Sequence, residues 1–394
     1  MTQLAETLFS NTPPIAWPQL LTLHCSQKNT QIKQVTYCQG QFNISAQERQ
    51  VMNESNSHYL TLIGPTIASD ALLNLLSALS QLQVSAQSSG DIIIYPPATY
   101  SLENSPLTHD ASADTQACTQ GDIVVLGFAE LFTERSAELS AKLLNKQRQQ
   151  FNDTLASWSN DYHIDYALSQ TLPSLKQPGV VLMDMDSTTI QIECIDEIAK
   201  LAGVGEQVAA VTAKAMNGEL DFSESLRSRV ATLTNCPEAV LTQVADAMPL
   251  MPGLELLIAT LHQANWKVAI ASGGFTYFAK RLQDDLGFDA VYANELEIVD
   301  GILTGKVIGD IVDAQVKADT LQALAQQYQI APQQTVAIGD GANDLIMLKS
   351  AALGVAIHAK PIVQQQAQVA LNYHDLEGLV GLLQAANCVE ASWS

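Results

Sequence analysis

Four short runs in the second half of the chain are almost wholly apolar and rich in β-branched residues: VVLM (180–183), KVAIA (267–271), TVAIG (335–339) and GVAI (354–357). Strands without polar alternation have to be covered on both faces. Long helical stretches separate the runs, so the chain alternates strand and helix in the manner of a parallel sheet with helices on either side. The expected fold class is α/β, a Rossmann-like parallel sheet. Residues 294–309 (NELEIVDGILTGKVIG) depart from the alternation, because two alternating runs meet there at Asp300-Gly301, a hairpin signal. Between the first two runs, at about 190–250, lies a mostly helical insertion of a size to cap the carboxyl edge of the sheet.

The first half has another texture. Residues 1–170 are rich in Gln, Ser, Thr and Asn, with strand-like runs at 58–64, 90–97 and 122–128 and helical patterns at 68–82 and 136–158. They read as an α+β domain without a cluster of His, Cys or acids that would make a site. The expected organisation is therefore two domains, 1–170 and 171–394, and 394 residues give each an ample core.

Charge narrows the partners. Forty-one acidic against 19 basic residues give a net charge of −22, which argues against nucleic acid and against anionic membrane. An anionic substrate would then be met by a few placed cations, so single Lys and Arg residues carry more information than usual. The six cysteines are scattered with no C-x-x-C spacing, which fits reduced thiols. The opening residues MTQLAETLFSNTPPIAWPQL show no basic stretch followed by an apolar core, and no apolar run approaches the roughly 20 residues that span a bilayer. The expected location is cytoplasmic.

Open parallel sheets bind ligands outside the carboxyl ends of their strands. The first strand is followed there by DMDST (Asp184 to Thr188), the second by Ser272-Gly273-Gly274, and the third by DGAND (Asp340 to Asp344), with Lys317 in the segment before the third. Each piece has an ordinary reading: a helix cap for an Asp, a turn for Ser-Gly-Gly, a solvated side chain for a Lys. Their conjunction at successive strand ends suits phosphoryl transfer from a monoester. Asp184 and Asp340, with a backbone carbonyl at Asp186, would hold a hard cation such as Mg²⁺. The cation and Lys317 would neutralise phosphate, letting Asp184 attack phosphorus as nucleophile. Asp186 would give a proton to the leaving alkoxide and take one from water, while Ser272 Oγ and the Gly273 N–H hold phosphoryl oxygens.

These motifs resemble the four motifs of the haloacid dehalogenase superfamily of aspartate-nucleophile phosphatases, and over about residues 178–385 the chain is similar to its phosphoserine phosphatase family. The resemblance implies that Glu193 (in IQIECIDEIA) and Arg229 (in FSESLRSRV) bind the ammonium and carboxylate of O-phosphoserine. It assigns apolar contacts to Met216 and Phe222, phosphate-site support to Asn343 and Gly274, and a backing acid to Asp344. One departure is Ala351-Ala352, where relatives often carry Ala-Gly. The implied activity is Mg²⁺-dependent hydrolysis of O-phospho-L-serine through an aspartyl-phosphate, the last step of L-serine biosynthesis. Two alternatives share the motifs: transfer of the phosphoryl group to another hydroxy amino acid such as homoserine, and an amino-acid-binding regulator on the same fold. The N-terminal region is similar in topology to ACT-like domains of ferredoxin type, which leaves regulation, scaffolding and a homodimer through that region open.

Overall fold

A computed structural model of the chain describes residues 139–390 apart from 217–218. Further toward the N-terminus it describes the strands at 21–27, 30–38, 41–46, 58–64, 90–95, 99–100, 118–119 and 122–128, with four helical residues between 71 and 78. The described residues of Leu175–Ala370 form one compact unit. Those of Met1–Ser101, Asp114–Ser174 and Leu371–Ser394 form another.

In the first of these units the strand order is Ile302–Ile308, Ala290–Val299, Lys267–Phe275, Val180–Met183, Thr335–Gly339, Leu353–Ile357. All adjacent pairs are parallel except the hairpin, where Asp300 and Gly301 both take positive φ, 52° and 75°, as a two-residue turn of this hand requires. The central strand is buried at every position, Val180 to Met183 all 0 % exposed. Val180 and Leu182 join a core with Leu321, Leu324, Met347 and Leu348, so the helices Ala314–Gln327 and Leu345–Ser350 cover that face. The alternate residues point to the opposite face; the helices Leu254–Gln263 and Thr276–Leu286 pack their buried sides on the Lys267–Phe275 and Ala290–Val299 strands.

Register decides where the loops emerge. Met183 pairs with Ile270 on one side and Ile338 on the other, so Asp184, Ser272 and Asp340 leave the sheet at nearly one level. Between the first two strands in sequence, four helices precede Leu254–Gln263 and make up the insertion: Cys194–Leu201, Gly205–Met216, Phe222–Ala231 and Ala239–Asp246. Their base is pinned where the Gln191 N–H donates to Pro249 O and the Met251 N–H to Thr189 O, both at 2.9 Å. Their far side is tied to the hairpin by Asn235 N–H on Leu303 O, Leu303 N–H on Cys236 O and Glu238 N–H on Gly301 O.

In the other unit the strands run Asp165–Ser169, His58–Gly64, Asp122–Phe128, Gly90–Tyr95, Leu21–Gln27, Thr30–Cys38, Gln41–Ala46. All adjacent pairs are antiparallel except Leu21–Gln27 with Gly90–Tyr95. The helix Leu139–Tyr162 buries Phe151, Leu155 and Trp158, and Trp158 Nε1 donates to Ala71 O. Asp165 is 1 % exposed and accepts the N–H groups of Asn372, Tyr373 and His374, which fastens the last segment of the chain to this unit. The strand–helix–strand pattern behind the ACT-like expectation includes the helix at 68–82, most of which lies outside the described residues.

Candidate active site

The chain leaves the central strand through a tight turn. The Asp184 N–H continues the ladder by donating to Ile338 O. Met185 O then collects the N–H groups of Thr188, Thr189 and Ile190, while Ser187 takes a left-handed φ of 56°. Thr189 Oγ1 donates to Asp184 O at 2.6 Å and closes the turn from inside. Asp184 is 5 % exposed; one carboxylate oxygen accepts the Met185 N–H at 2.7 Å and the other meets Lys317 Nζ at 2.8 Å. Asp186 is half-buried, and one of its oxygens takes the Cys194 N–H at 3.4 Å, a weak version of the capping role.

Lys317, 1 % exposed, bridges Asp184 and Asp344 with 2.8 Å contacts to each. The other oxygen of Asp344 accepts the Gly341 N–H at 2.9 Å. Gly339 has to be glycine for this packing, since a Cβ there would lie 2.5 Å from the Asp344 carboxylate. Asp340 accepts a hydrogen bond from Thr188 Oγ1 at 3.3 Å. Single oxygens of Asp184, Asp340 and Asp344 all fall within 4.8 Å of one another. Asp344 is 0 % exposed and does not line the cavity above, whereas Asp184 and Asp340 do, so those two are the better placed pair for a cation. The Asp186 carboxylate is outside the triad.

Electrostatics distinguish this edge from an ordinary polar surface. Burial, then Glu193 and Asp184, push the Asp186 carboxyl up to about 8. Burial, then Asp184 and Glu193, push Asp340 up to about 6. Glu193 is raised as well, chiefly by burial, with the Ser187 hydroxyl pulling the other way. Burial and Asp184 raise Asp344 against the pull of Lys317. Burial also works against the Lys317 ammonium, but Asp184 and Asp344 overcome it and hold it charged. The acids thus exceed the cations that serve them, and every donor is a hard oxygen. Such a set fits a small divalent cation that takes carboxylates and keeps sites for water and phosphate.

A cavity of about 350 Å³ opens over these groups, and Asp184, Asp186, Ser272, Gly273, Gly274, Asp340 and Asn343 line its floor. Its roof comes from the inserted helices: Glu193, Ile195, Phe222, Leu226 and Arg229. Residues 222, 226 and 229 share a helix face by spacing, and a capping box between Asp221 and Glu224 fixes where that helix starts. Glu193 occupies the N-cap of Cys194–Leu201 without capping it; its carboxylate instead accepts Ser187 Oγ at 2.9 Å. Arg229 Nε is buried and has no hydrogen-bond partner among the described residues. The Phe222 ring rests on Gly273, where a Cβ would come within 2.6 Å of it. Met216 ends its helix, and its side chain lies outside the described residues.

The structure therefore brings Asp184, Asp186, Glu193, Phe222, Arg229, Ser272, Gly273, Gly274, Asp340 and Asn343 around one cavity, with Lys317 and Asp344 directly beneath. Sequence reasoning gave no role to Thr188, whose hydroxyl donates to the Asp340 carboxylate, or to Thr189, whose hydroxyl holds the Asp184 carbonyl, although the two end and directly follow the DMDST run. It also passed over Ile195 and Leu226, for which the helical spacing to Arg229 was the available signal, and Lys360, which lines the rim.

A family model described as haloacid dehalogenase-like hydrolase matches residues 178–352. The phosphoserine phosphatase of Vibrio cholerae is 59% identical over 57% of this chain and 68% of its own length. That of Haemophilus influenzae is 56% identical over 60% of this chain and 75% of its own. A crystal structure of a probable phosphoserine phosphatase from Vibrio cholerae, unliganded, superposes with a TM-score of 0.64 at 40% identity, covering 86% of this chain and 89% of that one. A haloacid dehalogenase family hydrolase from Salmonella enterica serovar Typhi gives a TM-score of 0.64 at 30% identity, over 83% and 98%.

Proposed function

This chain belongs to the phosphoserine phosphatases, phosphoric monoester hydrolases of the haloacid dehalogenase-like fold, and from that premise we propose that it hydrolyses O-phospho-L-serine to L-serine and phosphate through a phosphoryl group carried on Asp184. The observation that supports the substrate assignment best is the roof of the cavity. Glu193 and Arg229, whose buried Nε has no hydrogen-bond partner among the described residues, face a floor of phosphate-type groups across about 350 Å³. A ligand with an ammonium and a carboxylate at one end and a phosphate at the other satisfies both surfaces. An Arg fork pairs with a carboxylate through two parallel hydrogen bonds, so Arg229 would carry most of the selectivity.

In this reading Asp184 and Asp340 hold Mg²⁺, which when bound screens the phosphate charge from the carboxylates. An Asp184 oxygen attacks phosphorus, the bond from phosphorus to the serine oxygen breaks, and Asp186 delivers its proton to that oxygen. The raised position of Asp186 keeps a proton available for that purpose near neutral pH. Serine departs, and Asp186, now a carboxylate, accepts a proton from the water that attacks the same phosphorus. The bond to Asp184 breaks and inorganic phosphate leaves. Lys317 orients Asp184 throughout and offsets charge on the phosphoryl oxygens, which Ser272 Oγ and the loop N–H groups also receive. The product is L-serine, so the reaction would stand last in L-serine biosynthesis, in the cytoplasm. No helix among the described residues is long and apolar enough to cross a membrane.

Phosphate release from a panel of phosphomonoesters, with Mg²⁺ and with chelator, tests the reading. Phosphoserine should be preferred and the activity should require the cation. A sugar phosphate hydrolysed far better than phosphoserine would overturn the assignment of Glu193 and Arg229.

A further inference from the structure

The strand that carries Ser272, Gly273 and Gly274 does not stay in register with its neighbour. Ala271 pairs with Tyr292, and the next pair is Phe275 with Asn294, so one strand spends four steps where the other spends two. The phosphate-type loop is therefore bulged out of the ladder, and its backbone groups lose their strand partners. Buried backbone groups left in this state have to be satisfied in another way. Gly274 N–H finds Ser272 Oγ at 2.9 Å. Gly273 O finds the side chain of Asn294, whose Nδ2 donates to it at 2.9 Å.

Asn294 is 1 % exposed, and the other end of its amide is also engaged: Oδ1 accepts the Val312 N–H at 2.9 Å. Val312 lies just before Asp313, the N-cap of the helix that carries Lys317. One buried amide thus joins the loop under the substrate phosphate to the segment that launches the lysine.

The peptide between Gly273 and Gly274 has a glycine on each side, so little but its hydrogen bonds opposes a flip. In the observed orientation its carbonyl is turned to Asn294 and its N–H to Ser272 Oγ. Flipped, the peptide would turn its carbonyl to Ser272 Oγ, and the hydroxyl would donate to that carbonyl in place of a phosphoryl oxygen. We propose that Asn294 is a positioning residue for this reaction, a clamp that holds the Gly273–Gly274 peptide so that its N–H fixes Ser272 Oγ and leaves the proton of that hydroxyl for the phosphate. The inference rests on the phosphate reading of the Ser272 loop given above.

Inhibition by inorganic phosphate and by L-serine, measured separately on the full chain, tests it. Asn294→Asp keeps the shape and the acceptor for Val312 but loses the donor to Gly273 O. Asn294→Ser is neutral and too short to reach, and serves if the buried charge of the first variant prevents folding. Either variant should weaken phosphate inhibition by about tenfold, the loss of about one hydrogen bond, with serine inhibition unchanged because Glu193 and Arg229 are untouched. Asn294→Asp should be the worse of the two, since its carboxylate repels the carbonyl. Asp289→Asn, which cuts hydrogen bonds at the start of the same strand, should move neither constant. Folded variants that keep wild-type phosphate inhibition, or lose phosphate and serine inhibition together, would overturn the clamp. A wild-type protein that phosphate does not inhibit would overturn the phosphate-loop reading and the clamp with it.

Discussion

Asp289 and Asp186 stand at opposite edges of one sheet and are treated in opposite ways. Asp289, at the amino edge, accepts Lys267 Nζ at 2.6 Å, the Val268 N–H at 2.9 Å and His262 Nε2 at 3.3 Å. Burial alone would raise its carboxyl, but those donors win and hold it at about 2. Asp186, at the carboxyl edge, has donors only from Cys194, its N–H at a long 3.4 Å and its thiol, against two acidic neighbours, and it is pushed up to about 8. The comparison teaches how to tell a carboxylate kept for the fold from one kept for chemistry. The first is matched by donors that the chain itself supplies; the second waits for charge that substrate or cation brings. Asp165 in the other unit, with its three backbone donors, falls on the side of Asp289.

The sharpest break between the two classes is at the nucleophile. Asp184→Asn should lower kcat by about four orders of magnitude or more, with the chain still folded by circular dichroism. Arg229→Ala should cost about a hundredfold in kcat/KM for phosphoserine, the loss of a charge-assisted pair, and much less for a phosphomonoester lacking a carboxylate. Steady-state kinetics on the two substrates measures that split.

Stability against pH should separate the edges as well. A carboxyl raised in the fold favours the folded state while protonated, and that contribution fades as pH rises from the ordinary 3.8 toward about 8. With chelator present, Asp186→Asn should therefore raise Tm at mildly alkaline pH. For Asp289 the sign is reversed: its contribution is complete above 3.8 and is lost as pH falls through about 2. Asp289→Asn should cost about 1–2 kcal/mol at neutral pH, discounted for the exposure of Lys267, without altering kcat. Thermal melts across pH decide both. An Asp289 variant that lost activity in proportion to Asp186→Asn would erase the distinction.

Much of this was legible in the sequence because the carboxyl edge is written in local signals. Apolar runs followed at once by acids, Ser-Gly-Gly and Gly-Asp-Gly place groups at strand ends, and Asp300-Gly301 marks the hairpin. What stayed hidden depends on pairing across distance. Asn294 reads as an isolated polar residue in a strand, and only the bulge opposite it gives its amide a task. Asp289 is legible as an acid but not as the partner of Lys267 and His262. The helix Glu377–Glu390 announces an apolar face, yet nothing in its periodicity says that it groups with the first part of the chain.

The central claim is that Asp184, among several acids at one edge, carries the phosphoryl group. Acid quenching of the enzyme during turnover of O-phospho-L-serine with Mg²⁺, followed by mass spectrometry, tests it directly. A phosphoryl adduct on the peptide bearing Asp184, absent in Asp184→Asn, is the predicted result. Steady phosphate release by an Asp184→Asn protein, or an adduct on Asp186 or Asp340 in its place, would contradict the account.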